Sequence, residues 1–308
     1  MRNAFASELL NIAQQREDVC LLSGDIGNRM FDKFKEIAPN RFINCGIAEA
    51  NMMSMAAGMA LKGLRPFVYT ITPFVTTRCL EQIKIGLAYH NAPVIIVGTG
   101  SGLSYAELGP THHSFEDMAI LNSIPGIRVL APCDQNELIS YMRESINFNG
   151  PTYIRIGKKG EPKLHTSEKN IYIGQATEFI KGDKFLILSL GPIISEAIEA
   201  SSKLKANLGV TSSVVSLGSL KPLDEQFLKK KLSENYKYWV TLEEHSVMGG
   251  LGMNIADWLQ KNSYGNKIKL IKLAIQDTFI HKLGNQKYMR SKCGLDSGSI
   301  FENLKNLC

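Results

Sequence analysis

The stretch "GIAEANMMSMAAGMALKGLRPFVYTI", residues 46–71, sets a helix directly before a strand. Its first part, residues 47–62, is apolar and small on nearly every side, with Met52, Met53, Met55, Ala56, Ala57 and Gly58 close together. That composition marks a helix buried in a core. Its last part, "PFVYTI" (Pro66 to Ile71), is a short apolar β-type run. Runs of the same kind lie on either side: "VCLLS" (Val19 to Ser23) before it, and "PVIIVG" (Pro93 to Gly98), "IRVLA" (Ile127 to Ala131) and "TYIRI" (Thr152 to Ile156) after it. "TTRCLEQIKIGLAYH" and "DQNELISYMRESINF" fall between these runs, each long enough for a helix. Near-continuous apolar strands alternating with helices imply a mostly parallel sheet covered on both faces.

The pattern lapses in "GKKGEPKLHTSEKN" (Gly157 to Asn170), which carries Gly, Pro and many charges and reads as a linker over 158–169. Alternation then resumes, with "FLILSL", "SVVS", "YWVTLEE" and "KLIKLAI" as strands and "PIISEAIEASSKLKAN" and "GLGMNIADWLQ" as helices. The expected architecture is two doubly wound α/β domains, 1–157 and 170–308.

Composition excludes several classes. Of 308 residues, 44% are hydrophobic and 21% charged, close to an ordinary globular protein and far from a disordered or fibrous one. The net charge of +6 is modest, and its longest basic run, Lys229 to Lys231, reads as a solvated helix face rather than a nucleic-acid patch. Six cysteines without C-x-x-C pairs read as free thiols in a reducing, cytoplasmic setting. No run of about 18 apolar residues suggests a membrane span, and the N-terminus resembles an amphipathic helix rather than a signal peptide.

In open α/β sheets, chemistry collects beyond the carboxyl ends of the strands. Asp25, Thr72 to Phe74, the loop from Gly100 to His113, and Arg155 all lie there. Glu49 occupies the first turn of the buried helix, where a carboxylate complements the helix dipole. Alternatively, a dry pocket raises its pKa and poises it to share a proton with a ligand. His112 follows a long glycine-rich loop, so it is either a proton-transfer and substrate-binding group or a hydrogen-bonded structural histidine. Arg155, inside an apolar strand, requires an anionic partner: a protein carboxylate or a substrate phosphate or hydroxyl. "SGDIGN" (Ser23 to Asn28) matches no phosphate-binding fingerprint. "GGLG" (Gly249 to Gly252) suits close helix–strand packing better than a phosphate cradle.

Five segments then converge in order: residues 46–74, "GPTHHSFEDMAILNSIPGIRVLAPCDQNE", "YIRIGK", "LKPLDEQFL" and "EEHSVMGGLG". Together they resemble the pyrimidine-binding and C-terminal domains of the transketolase family of thiamine-diphosphate enzymes. The resemblance implies that Glu49 bonds the aminopyrimidine nitrogen and drives the ring to its imino form, which generates the ylide that attacks a ketose carbonyl. It implies that Phe74 stacks on the pyrimidine, with Tyr69 as a second wall and Asp25 and Arg78 near the cofactor. It also implies that His112 handles protons and donor hydroxyls, and that Arg155 holds a sugar phosphate.

Two positions depart from the family pattern. Leu108 stands where most members carry an acid before "GPTH", and Gly100 stands where transketolases proper carry a histidine. The family's diphosphate and Mg²⁺ domain, with its G-D-G motif, has no counterpart in the chain. The expectation is therefore the C-terminal subunit of a split transketolase: a ketol-transferring enzyme active only with a partner that supplies the diphosphate and Mg²⁺ site, in a heterotetramer of two plus two. The alternatives are a 1-deoxyxylulose-5-phosphate synthase-like enzyme, a 2-oxoacid dehydrogenase beta-type enzyme, or a non-catalytic interaction subunit.

Overall fold

The computed structural model describes residues 1–27, 29–168 and 170–308. Asn28, the last residue of "SGDIGN", and Lys169, in the expected linker, lie outside the described residues.

The first half of the chain runs α1 (Arg2–Gln15), β1 (Val19–Ser23), α2 (Asp32–Ile37), β2 (Phe42–Asn44), α3 (Glu49–Leu61), β3 (Arg65–Ile71) and α4 (Thr72–Val75). It continues through β4 (Ile95–Thr99), α5 (Asp117–Asn122), β5 (Arg128–Leu130), α6 (Gln135–Ser145) and β6 (Thr152–Ile156). The second half holds β7 (Thr177–Ile180), β8 (Phe185–Leu190), α7 (Ile194–Leu208), β9 (Ser212–Ser216), β10 (Ser219–Lys221) and α8 (Glu225–Leu232). It closes with β11 (Tyr238–Ser246), α9 (Leu251–Lys261), β12 (Lys269–Ile275), α10 (Gln286–Lys292) and α11 (Ser297–Lys305).

The strands form two sheets, ordered β10-β5-β6-β4-β3-β1-β2 and β12-β11-β8-β9-β7. All neighbours are parallel except the edge strands β10 and β7. β1, β4, β6, β8 and β9 are buried along their whole length, which is why β1, β4 and β8 read as apolar runs rather than alternations. Side chains on a strand alternate between faces, and in the first sheet each face has its own core. Cys20, Leu22, Val68 and Ile96 pack under Met52, Met53 and Ala56 of α3. Val19, Leu21, Phe67, Tyr69 and Val97 pack under Phe5 and Leu9 of α1.

Three features depart from the sequence reading. β10 lies beyond the linker yet completes the first sheet, pairing antiparallel with β5. The cluster under α3 also includes Leu186, Leu188, Val215 and Trp239, so the core is continuous between the sheets. The expected helix over 76–90 is broken instead: a 3₁₀ turn at Thr77–Cys79 precedes a π-helical stretch at Gln82–Ala88. Such irregular turns often re-aim side chains at functional sites. No helix among the described residues is long and apolar enough to cross a membrane.

Candidate active site

α3 begins at Glu49, and the small residues behind it (Ala56, Ala57, Ala60) let the helix pack closely on β3 and the π-helical stretch. That packing buries the Glu49 carboxylate to 5% exposure. An ionised carboxylate at that depth needs a partner, and the irregular segment provides one: Arg78 Nη1 lies 2.8 Å from Glu49 Oε2. Glu49 Oε1 makes no hydrogen bond to the protein among the described residues. The Arg78 guanidinium also covers the Phe74 ring, 4.1 Å from its centroid. Phe74, on the short α4 that leaves β3, is half-buried and meets the His112 ring edge-on, with centroids 5.3 Å apart. Glu49, Arg78, Phe74 and His112 thus form one contiguous row.

His112 Nδ1 shares a hydrogen bond with Thr111 Oγ1 at 2.9 Å, and Nε2 has no protein partner among the described residues. Burial pushes the imidazole below its ordinary value of 6.5, so it is neutral at pH 7 and its Nε2 can accept or deliver a proton. Asp25 sits at the rim, accepting from Asn44 Nδ2 at 3.0 Å. It follows Gly24, where a Cβ would come within 3.9 Å of Glu49 Oε1 and 2.9 Å of Thr70 Oγ1. Thr70 Oγ1 is itself buried without a hydrogen-bond partner among the described residues.

Two expected site residues are packed or bonded within the protein. Tyr69 is 1% exposed, stacked on Phe5 at 5.2 Å and edge-on to Phe31, and burial pushes its phenol up to about 12. The cause is strand alternation: Thr70 faces Glu49, so Tyr69 faces the opposite core and provides no wall for a ligand. Arg155 is bonded to the protein through Nε and Nη2. Its Nε lies 2.9 Å from Asp117 Oδ2, and its Nη2 donates to the carbonyls of Ser114 and Glu244, each at 2.8 Å. At 5% exposure it ties the His112 loop to β11.

That loop is stapled from the second sheet. Glu244 accepts from Leu103 N at 3.1 Å and is held by Arg290 and Gln286. His245 Nε2 accepts from Ala119 N, and Ser246 N donates to Phe115 O at 2.7 Å. "GGLG" serves packing: Glu243 accepts from Leu251 N and Gly252 N at the start of α9, and a Cβ on Gly250 would collide with the Glu243 carboxylate. Burial pushes that carboxyl up from its ordinary range.

Two residues that sequence reasoning missed join the site. Tyr105 meets His112 with ring centroids 5.9 Å apart, and Lys158 Nζ lies 4.6 Å from the Tyr105 centroid. Lys158 stands two residues past the end of β6, where the strand-end rule could have found it. Elsewhere, Cys133, Asp134 and His165 bring possible metal ligands together. Both Asp134 oxygens are already engaged, by Asn136 N, Glu137 N and His165 Nδ1 on one and by Leu164 N and His165 N on the other. Burial keeps Cys133 a thiol, so the cluster is a latch that pins the linker to the start of α6.

Residues 1–162 match the family described as "Transketolase, pyrimidine binding domain", and residues 174–300 match "Transketolase, C-terminal domain". The chain belongs to the transketolase family. It is 31% identical to an apulose-4-phosphate transketolase subunit of Phocaeicola vulgatus, over 97% of this chain and 94% of that one. It is 30% identical to a 6-deoxy-6-sulfo-D-fructose transketolase subunit of a Clostridium species, over 97% and 92%. A solved split-gene transketolase, described as an inactive beta4 tetramer, superposes with a TM-score of 0.89 at 29% identity, covering 99% of this chain and 97% of that one. This transketolase-type chain therefore corresponds to the same half of a split enzyme as these relatives, and it carries two of the family's domains. The row from Glu49 to His112 fits the aminopyrimidine end of thiamine diphosphate: a carboxylate oxygen with no protein partner among the described residues stands beside a half-exposed aromatic ring.

Proposed function

We propose that this subunit provides the pyrimidine half of a thiamine-diphosphate site. A second polypeptide supplies the diphosphate and Mg²⁺ half, and together they transfer a two-carbon ketol unit from a ketose or ketose phosphate to an aldehyde. Residues 1–157 act as the pyrimidine domain and 170–308 as the C-terminal domain, in a two-plus-two assembly. The reducing cytoplasm suits its six free cysteines. The observation that carries the reading is the alignment of Glu49, Phe74 and His112 along one row.

Thiamine diphosphate, when bound, supplies the ring that stabilises negative charge on the transferred unit. Glu49 Oε1 would hold the pyrimidine nitrogen through a hydrogen bond, from a position where low dielectric strengthens that bond. Phe74, half-buried beside the Glu49–Arg78 pair, would offer an aromatic wall to the heterocycle. His112 Nε2, neutral at pH 7, takes and returns the hydroxyl proton of the sugar as the carbon–carbon bond breaks and re-forms. Lys158 is the cation that meets an anionic end of the substrate. Both relatives are named for sugars with such an end, a phosphate in one and a sulfo group in the other.

The test mixes the chain with a polypeptide carrying the diphosphate domain, thiamine diphosphate and Mg²⁺, and follows ketol transfer. Transfer is expected in the mixture and in neither chain alone. Activity of this chain alone would contradict the shared site, and turnover only with a 2-oxo acid would favour the dehydrogenase-type alternative.

A further inference from the structure

Gly102 and Ser114 form an isolated antiparallel bridge: Gly102 N donates to Ser114 O at 3.2 Å, and Ser114 N to Gly102 O at 3.4 Å. The bridge closes the base of the loop that carries His112, which stands two residues before Ser114. Both ends of this base rest on one residue of the second sheet, Glu244 of β11. Its Oε2 accepts from Leu103 N at 3.1 Å, and its backbone carbonyl accepts from Arg155 Nη2, the atom that also donates to Ser114 O. Gly102 permits the approach: its φ is +60°, and a Cβ there would stand 2.6 Å from Glu244 Oε2 and 2.8 Å from Glu244 Cβ. From behind, Arg290 Nε donates to Glu244 Oε1, and Gln286 Nε2 lies 3.1 and 3.2 Å from the two carboxylate oxygens. At 6% exposure the carboxylate is thus fixed by donors from both domains, and its direction sets where the base of the loop lies.

We propose that Glu244 is a positioning residue for ketol transfer: it sets the His112 loop from the second domain, so that this domain contributes to the reaction as well as to the fold. The proposal rests on the ketol-transfer reading and adds β11 to it. A proton-transfer group displaced by about 1 Å loses up to about a hundredfold in rate, even when the change that moves it lies away from the chemistry. Glu49 and Phe74 stand on α3 and α4, so the loss of the clamp spares the residues that face the pyrimidine ring.

The experiment expresses kcat of the two-subunit mixture per thiamine-diphosphate-loaded site, which cancels the share of unfolded chain, and measures cofactor affinity alongside. Glu244→Leu is expected to lower kcat per loaded site about thirtyfold with cofactor affinity within about twofold of wild type. Glu244→Gln keeps an oxygen for Leu103 N and is expected to recover about a third of the wild-type kcat. In the chain alone, amide exchange at Leu103 and Ser114 should quicken about tenfold in Glu244→Leu. If the leucine variant does not fold, Gln286→Leu removes only the support from α10 and should lower kcat per loaded site about threefold. A kcat per loaded site equal to wild type in the folded variant overturns this proposal alone, whatever happens to cofactor affinity. A wild-type mixture without ketol transfer overturns the proposed function and this proposal with it.

Discussion

Arg78 Nη1 stands 2.8 Å from Glu49 Oε2, from an irregular turn that also lays the guanidinium over Phe74. One cation thus fixes the orientation of the buried carboxylate and occupies the aromatic face beside it. The Arg78 side chain is 44% exposed, so water screens the pair and its contribution to stability is small. Its effect is on geometry.

Arg78→Gln is accordingly expected to weaken thiamine-diphosphate binding in the two-subunit mixture about tenfold, or ~1.4 kcal/mol. The melting temperature of the chain should stay within about 2 °C of wild type. Cofactor titration checks the first and a thermal melt the second. Tighter binding in the variant would mean that the guanidinium acts mainly as a plug on Phe74.

Arg155 and Lys158, three residues apart on one strand exit, carry different duties. Arg155→Gln leaves Asp117 buried without its cation, and breaking such a pair costs about 3 kcal/mol. Its signature is a lowered melting temperature. Lys158→Gln should leave the melt unchanged and raise KM about tenfold for a phosphorylated substrate while sparing the unphosphorylated analogue. The reverse pattern would return Arg155 to the role of anion binder.

His113 gives the clearest pH dependence. Both ring nitrogens are buried without a hydrogen-bond partner among the described residues, and burial holds the group below its ordinary 6.5. The unfolded chain takes up a proton near pH 6.5 while the fold resists it. Stability is therefore fully present above 6.5 and is lost as pH falls below that value towards the folded pKa. His112, shifted the same way, adds to the slope. His113→Phe should stabilise the chain at pH 7 by about 1 kcal/mol, since it removes an unsatisfied polar group. It should also flatten the fall in melting temperature between pH 7 and 5.5. An unchanged slope would count against this role of His113.

Much of the fold could be read from apolar runs alone: "VCLLS", "TYIRI", "FLILSL" and "KLIKLAI" coincide with β1, β6, β8 and β12. The short edge strands β2, β7 and β10 could not, because a half-exposed or three-residue strand leaves little pattern. At the site, Glu49, Phe74 and His112 stood out through local context. Tyr69 misled because an aromatic beside a motif says nothing about which sheet face it takes until the register is known. Arg155 left its partner open because Asp117 lies 38 residues away and meets it only in the fold. Tyr105 was invisible for a related reason: it meets the His112 ring only in the fold.

The proposed ketol transfer rests above all on Glu49, whose Oε1 has no protein partner among the described residues. The decisive measurement compares ketol transfer by the two-subunit mixture containing wild-type chain with that containing Glu49→Gln, under saturating thiamine diphosphate and Mg²⁺. The expected result is a loss of about a thousandfold in kcat with subunit association intact. A Glu49→Gln mixture that keeps most of the wild-type activity would contradict the role assigned to this carboxylate.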